Sequence, residues 1–127
     1  MMIVRWTVLF QDDFFEEFQA LSEPVQTELF AMVEHLERFG PTARRPQVDT
    51  LKGAKLANLK EFRFNAGGGV WRVAFAFDPK RRAIVLAAGD KSGVASAAFY
   101  RSLIALAEKR MAKFMAVQKE AETKTKK

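Results

Sequence analysis

Asn58-Leu59-Lys60-Glu61-Phe62-Arg63-Phe64 is followed by Gly67-Gly68-Gly69 and then by Val70-Trp71-Arg72-Val73-Ala74-Phe75-Ala76-Phe77. The reading of this stretch decides the fold. Strand side chains alternate with a period of two, so Phe62 and Phe64 point one way while Glu61 and Arg63 point the other. The second run repeats the pattern, with Trp71, Val73, Phe75 and Phe77 on its bulky side and Arg72 opposed to them. The glycines between the runs predict a turn that makes the two strands neighbours. The aromatic side needs a core to cover it. The other side, carrying Glu61, Arg63 and Arg72, suits a polyanion and points toward RNA.

Downstream, Asp78-Pro79-Lys80-Arg81 predicts a tight hairpin into a third strand over 82–90. Ile84-Val85-Leu86-Ala87-Ala88 is almost wholly apolar, which places that strand centrally, covered at least in part on both faces. Gly89-Asp90-Lys91-Ser92-Gly93 forms a loop at its end. From Ala97 to about Gln118 the composition is helical, with Phe99, Leu103, Leu106, Ala107, Met111 and Phe114 as an apolar stripe. Upstream, Ile3 to Phe10 reads as a first strand. Asp12-Asp13 opens a helix with Phe14, Phe15, Phe18 and Leu21 as its stripe. Ser22-Glu23-Pro24 starts a second, carrying Val25, Leu29, Met32, Val33, Leu36 and Phe39, and Gly40-Pro41 ends it. Residues 41–57 read as a basic loop, with room for a helical turn, bearing Arg44, Arg45, Lys52 and Lys55.

The order β, α, α, β, β, β, α predicts an α+β domain. It has an antiparallel sheet of about four strands, two N-terminal helices packed on the aromatic face, and a C-terminal helix. The opposite face is left for whatever the chain binds. Residues 1–118 form one domain. Residues 119–127 (Lys-Glu-Ala-Glu-Thr-Lys-Thr-Lys-Lys) have no apolar period and are expected to be a flexible basic tail.

A chain of 127 residues with 49% hydrophobic side chains can build one core, which argues against disorder. The absence of cysteine excludes disulfides, thiolate nucleophiles and thiolate metal sites, and is compatible with a reducing compartment. No run approaches the length of a membrane span, and the N-terminus lacks a signal-peptide core, so the chain reads as soluble and cytoplasmic. The net charge of +6 is unevenly spread. Residues 1–40 carry eight acids and two bases, residues 41–91 eleven bases and four acids, and residues 92–127 eight bases and three acids. The basic two thirds supply a salt-dependent attraction for nucleic acid, or a solvated surface with an accidental bias.

His35, the one histidine, lies between Glu34 and Leu36 on the acidic second helix, away from the basic strands, and is given no catalytic role. One histidine without cysteine makes no zinc site, and Asp12, Asp13, Glu16 and Glu17 read as helix-start acids rather than metal ligands. The glycine triplet joins two strands instead of opening a helix, which rejects a phosphate loop. Two readings of Glu61, Arg63 and Arg72 stay open on residues alone: an ion-pair network bracing a sheet face, or an anion site. Lys52 and Lys55 read equally as loop solvation or as RNA contacts.

The succession of a strand, two helices, Leu51-Lys52-Gly53, Leu59-Lys60-Glu61-Phe62-Arg63, Trp71-Arg72-Val73-Ala74-Phe75, Ile84-Val85-Leu86 with Lys91, and a last helix resembles the RelE/ParE toxin superfamily. It is most similar to the HigB-like, phage-derived branch, over roughly residues 3–115. The resemblance implies a RelE-like fold and the toxin of a type II toxin–antitoxin pair. Such a toxin is a ribosome-dependent, metal-independent mRNA endoribonuclease that inhibits translation. Its partners are mRNA, the ribosome and a helix-turn-helix antitoxin, and it uses no cofactor. The alternatives within the resemblance are a ParE-like, non-enzymatic gyrase inhibitor and a degenerate domain that only binds RNA or a partner. Two positions depart from the pattern. Lys91 is followed by Ser92-Gly93 where a second lysine is usual, and the only tyrosine, Tyr100, falls on the predicted last helix rather than beside the strands.

Metal-free RNA cleavage uses the ribose 2′-OH as nucleophile and leaves a 2′,3′-cyclic phosphate and a 5′-OH. The protein must take the 2′ proton, stabilise the phosphorane and protonate the leaving oxygen. Arg63 and Arg72 are assigned to the phosphate, because guanidinium binds its oxygens bidentately and stays charged. Glu61 is either the general base or the group that orients Arg63. Lys91 and Lys55 hold phosphate or move protons. The expected catalytic set is Glu61, Arg63, Arg72 and Lys91, with Arg44, Arg45, Lys52 and Lys55 as RNA contacts.

Overall fold

Gly67 and Gly68 both adopt positive φ, 55° and 79°, in the two-residue loop between the central hairpin strands. That conformation matches the twist of the flanking strands and costs glycine nothing. The computed structural model, which describes residues 5–125, places β1 at Thr7–Phe10, α1 at Asp12–Gln19 and α2 at Glu23–Phe39. A 3₁₀ turn at Gly40–Thr42 leads to β2 (Val48–Thr50), β3 (Leu59–Ala66), β4 (Gly69–Phe77), β5 (Arg82–Asp90) and α3 (Ser96–Thr125).

The architecture is α+β, but the sheet has five strands in the order β1-β5-β4-β3-β2 and is mixed, not four-stranded and antiparallel. The extra strand, β2, lies within the expected basic loop and pairs antiparallel with β3. Its three residues are too few to show a period. The antiparallel expectation fails at β1, which pairs parallel with β5, Thr7 against Arg82 through Phe10 against Val85. The two intervening helices carry the chain across one face and leave β1 beside the last strand, a long-range choice that local alternation does not encode. Ile3 and Val4, the expected start of that strand, lie outside the described residues.

Two cores flank the sheet. On one face Phe14, Phe18, Val25, Leu29, Met32 and Leu36 of α1 and α2 pack on Phe62, Val73, Phe75 and Val85. The aromatic side of the strands is thus covered as expected. On the other face Leu103, Ala107 and Met111 of α3 pack on Ala74, Ala76, Ile84 and Leu86. The second face is therefore not left open. Alanines at 74 and 76 let a helix backbone approach closely, and α3 packs on β4 and β5. The register slips between Ala74 and Phe75, which face Ala87 and Val85, so Leu86 is a bulge residue. Its carbonyl accepts a 3.0 Å bond from buried Arg110, whose Nη1 and Nη2 also grip the two Glu17 oxygens at 2.7 and 2.8 Å. That fork ties α3 to α1, and Lys113 reinforces it at Asp13.

Helix α3 continues past Gln118 through the segment expected to lose regular structure. Lys119, Glu120, Ala121, Glu122 and Lys124 are good helix formers, and ion pairs of Lys80 with Glu122 and Lys124 with Glu120 support the extension. At the other end of the helix, a Cβ on Gly89 would meet the Phe99 ring at 2.9 Å. Gly89→Val is expected to cost about 1–3 kcal/mol by overpacking and to lift the first turns of α3. A urea midpoint equal to that of the parent would show that Phe99 does not press on this position.

Candidate functional site: an arginine pair braced by a buried glutamate

Arg63 on β3 lies directly across from Arg72 on β4, on the face that α3 partly covers. Like charges set opposite each other on one sheet face repel. Glu61, two residues before Arg63 on the same face, resolves the conflict. Its Oε1 accepts from Arg63 Nε at 2.7 Å and lies 3.5 Å from Arg72 Nε. Only 3% of Glu61 is exposed, so little water competes for that oxygen. The carboxylate raises the pKa of Arg63 above its ordinary value, chiefly through the hydrogen bond. The arginine side chains are not sealed in, being 32% exposed at Arg63 and 13% at Arg72.

Tyr100, in the second turn of α3, roofs the pair. Its hydroxyl donates to Glu61 Oε1 at 3.1 Å and accepts from Arg72 Nε at 3.2 Å. Burial pushes the phenol pKa up, opposed by the bond from Arg72 and aided by the Glu61 charge. The phenol therefore keeps its proton at neutral pH. Arg72 Nη1 donates to its neighbour's carbonyl, Trp71 O, at 2.9 Å, which pins the guanidinium plane. Lys91 Nζ stands 5.9 Å from the centroid of the Tyr100 ring. Tyr100, which the sequence places on the last helix and apart from the strands, is brought back to them by the fold. The signal was present, because Tyr100 precedes Leu103 by three residues and so lies on the buried stripe of α3 at its strand end.

Of the residues expected in the catalytic set, Glu61, Arg63 and Arg72 come together, and Lys91 is linked to them through the Tyr100 ring. Arg45 joins them through Asp49, a residue not singled out from sequence. Asp49 pairs with Glu61 in the β2–β3 register, and one of its oxygens, Oδ2, takes Arg45 Nη2 at 2.7 Å and Arg63 Nη2 at 3.5 Å. The Arg45 bond leads in holding the Asp49 carboxyl below the usual range. Arg44 lies beside Arg45 in an open hollow at the β2 edge. Lys52 and Lys55 are exposed between β2 and β3, and among the described residues no bond ties either ammonium to the arginine pair. Lys55 is anchored by its backbone, whose N–H donates to Glu108 Oε2 at 2.6 Å. Around the arginine pair, the cations of Arg45, Arg63 and Arg72 meet the carboxylates of Glu61 and Asp49, so positive charge is in excess.

His35 packs against Phe62 at 5.5 Å between ring centroids, and Phe62 points to the opposite sheet face from Glu61. Burial, with the nearby Arg38 charge, lowers the pKa of the imidazole from 6.5. The unfolded chain then binds the proton more readily than the folded one. The contribution to stability is present above pH 6.5 and is lost as the pH falls through the lowered folded value. His35→Gln is expected to flatten the pH dependence of the urea midpoint between about pH 7 and pH 5. An unchanged profile would mean that other groups govern it.

Residues 16–112 match the family described as phage derived protein Gp49-like (DUF891). Over 66 residues the chain is 48% identical to the candidate toxin HigB2 of Mycobacterium tuberculosis (strain ATCC 25618 / H37Rv), an alignment covering 51% of this chain and 33% of that protein. It is 42% identical over 76 residues to the candidate toxin HigB3 of the same strain, covering 60% of this chain and 65% of the relative. In both cases the matched stretch spans less than two thirds of the relative's length. The fold is similar to that of an arginine-to-alanine double mutant of E. coli toxin RelE in the free state. The TM-score is 0.53 at 13% identity, over 80% of this chain and 95% of that one. With the match covering most of its length, and with a RelE-like fold and HigB-like sequence, the chain belongs to the phage-derived Gp49-like family.

Proposed function

We propose that the chain is the toxin of a type II toxin–antitoxin pair and a ribosome-dependent, metal-independent mRNA endoribonuclease. The observation that carries this reading is the pairing of Arg63 and Arg72 across two strands, braced from beneath by Glu61 and open at the surface. Two fixed guanidinium groups side by side can clamp the non-bridging oxygens of one phosphodiester and stabilise the extra charge of the phosphorane. Among the described residues, Arg72 Nη2 and Arg63 Nη1 make no hydrogen bond, which leaves donors for that clamp. Lys91, 5.9 Å from the centroid of the Tyr100 ring, adds a further cation for the same phosphate or the leaving oxygen. Glu61 acts as a positioning residue: buried and already accepting from Arg63 and Tyr100, it orients the arginines instead of reaching a 2′-OH. The names of the mycobacterial relatives support the toxin assignment. A small helix-turn-helix antitoxin is the inhibitory partner this reading expects.

Induced expression with mapping of mRNA 5′ ends tests the reading. New 5′-OH ends inside translated codons are the expected result. DNA damage without mRNA cuts would replace it with gyrase inhibition, and normal growth would leave a domain that binds without cutting.

A further inference from the structure

The hollow at the β2 edge is built differently from the arginine pair. It is an open space of about 570 Å³. That lies within the range of sites that hold a small molecule, about 300–1,000 Å³, and exceeds what a lone phosphate requires. Its rim carries Arg44, Arg45 and Lys60, with Asp49 as the one carboxylate. Lys60 was not singled out from the sequence, and its ammonium is held toward the hollow by a 2.8 Å bond to Thr50 Oγ1. The floor contains Pro41 and Ala43, which offer a polynucleotide's sugar and base an apolar surface, with buried Val48 beneath them.

The hollow reaches the arginine pair around the β2 edge: Val48, Thr50 and Lys60 share the face of Phe62, whereas Asp49 shares the face of Glu61 and Arg63. Arg45 on its rim and Arg63 in the pair bind the same oxygen of Asp49 at 2.7 and 3.5 Å. Their terminal nitrogens therefore lie no farther apart than those two distances laid end to end. Successive phosphates of an extended single strand are spaced on a similar scale, so neighbouring phosphates can occupy the two places together. Asp49 sits between them.

We propose that this hollow is a nucleotide subsite for the residue flanking the phosphodiester held by Arg63 and Arg72, with Arg44, Arg45 and Lys60 as its phosphate contacts. The proposal rests on the anion-site reading of the arginine pair and extends it to a second position on the same single strand. Because the floor is apolar, the hollow prefers a single-stranded oligoribonucleotide to a bare polyanion of equal charge.

Fluorescence anisotropy of the full chain with a labelled oligouridylate, read across a salt series, tests this. For single strands each phosphate contact contributes about 0.7 to the slope of log affinity against log salt. The Arg44→Ala/Lys60→Ala variant is expected to lower that slope by about 1.4, two such contacts, with an unchanged urea midpoint. Inorganic polyphosphate is expected to compete more weakly than unlabelled oligouridylate at equal charge. An unchanged slope, equal competition by polyphosphate, or no binding by the parent protein would each overturn the subsite. The experiment is independent of cleavage. Loss of mRNA cutting in cells with the slope change intact would sink the nuclease reading alone, and the reverse result would sink the subsite alone.

Discussion

Arg72→Ala is expected to lower mRNA cleavage by about 10²–10³, the cost of removing one preorganised donor to a transition-state anion. The fold is expected to survive. Arg72 is partly exposed, and the core beneath it is made by Val73 and Phe75 on the opposite face, which the substitution does not touch. Tyr100 loses a donor but keeps its own bond to Glu61. Glu61 is relieved of one of its two arginines and remains paired with Arg63. Circular dichroism and a urea melt on purified protein establish the fold, and 5′-end mapping after induction gives the rate. Arg72→Lys keeps the charge but not the planar fork, and is expected to recover only part of the loss. A folded Arg72→Ala protein that still cuts message and stops growth would remove the arginine pair from the mechanism.

Glu61→Ala acts in the opposite manner, on stability before activity. It leaves Arg63 and Arg72 facing each other across β3 and β4 without the carboxylate that joins them, Arg63 keeping only its 3.5 Å contact with Asp49, and it removes the acceptor of Tyr100. Breaking a buried ion pair from one side costs roughly 3–5 kcal/mol. Because 32% of the Arg63 side chain is exposed, water screens part of the repulsion, and the expected loss is at the low end, about 3 kcal/mol. Glu61→Gln keeps an acceptor for the arginine and the tyrosine without the charge, and should fall between the two. The diagnostic is the double variant. If the repulsion is the cause, Glu61→Ala/Arg63→Ala should be more stable than Glu61→Ala alone, a coupling that a double-mutant cycle reads directly. A single variant as stable as the parent, or a double variant that merely sums two losses, would show that Glu61 does not brace the pair.

These two outcomes separate the readings left open by residues alone. An ion-pair network that only holds the sheet would make Arg72→Ala and Glu61→Ala alike, both costing stability and neither affecting activity of the folded protein. A phosphate clamp makes them differ, with Arg72 spent on the substrate and Glu61 on keeping two like charges in register.

The alternation of Leu59–Phe64 and Val70–Phe77 was enough to determine the central hairpin, which of its faces is aromatic, and that Glu61, Arg63 and Arg72 share the other. Those are consequences of the two-residue strand period and of glycine in the turn, both local, so they are written in the chain itself. The helical stripes of α1 and α2 were legible from the equally local 3.6-residue period, except at Phe15 and Phe39, which are 48% and 44% exposed. What the sequence left undetermined is long-range. That β1 lies parallel to β5, that three residues of the basic loop make an edge strand, and that α3 crosses the charged face each depend on which distant surfaces meet. Tyr100 illustrates the consequence most clearly. It is 28 residues from Arg72 along the chain, yet the small side chains of Ala74, Ala76 and Gly89 let α3 come down close enough to put its hydroxyl on the arginine. The α3 stripe marks Tyr100 as inward-facing, but it was tertiary packing that turned a pair of exposed charges into a braced, roofed and partly open site.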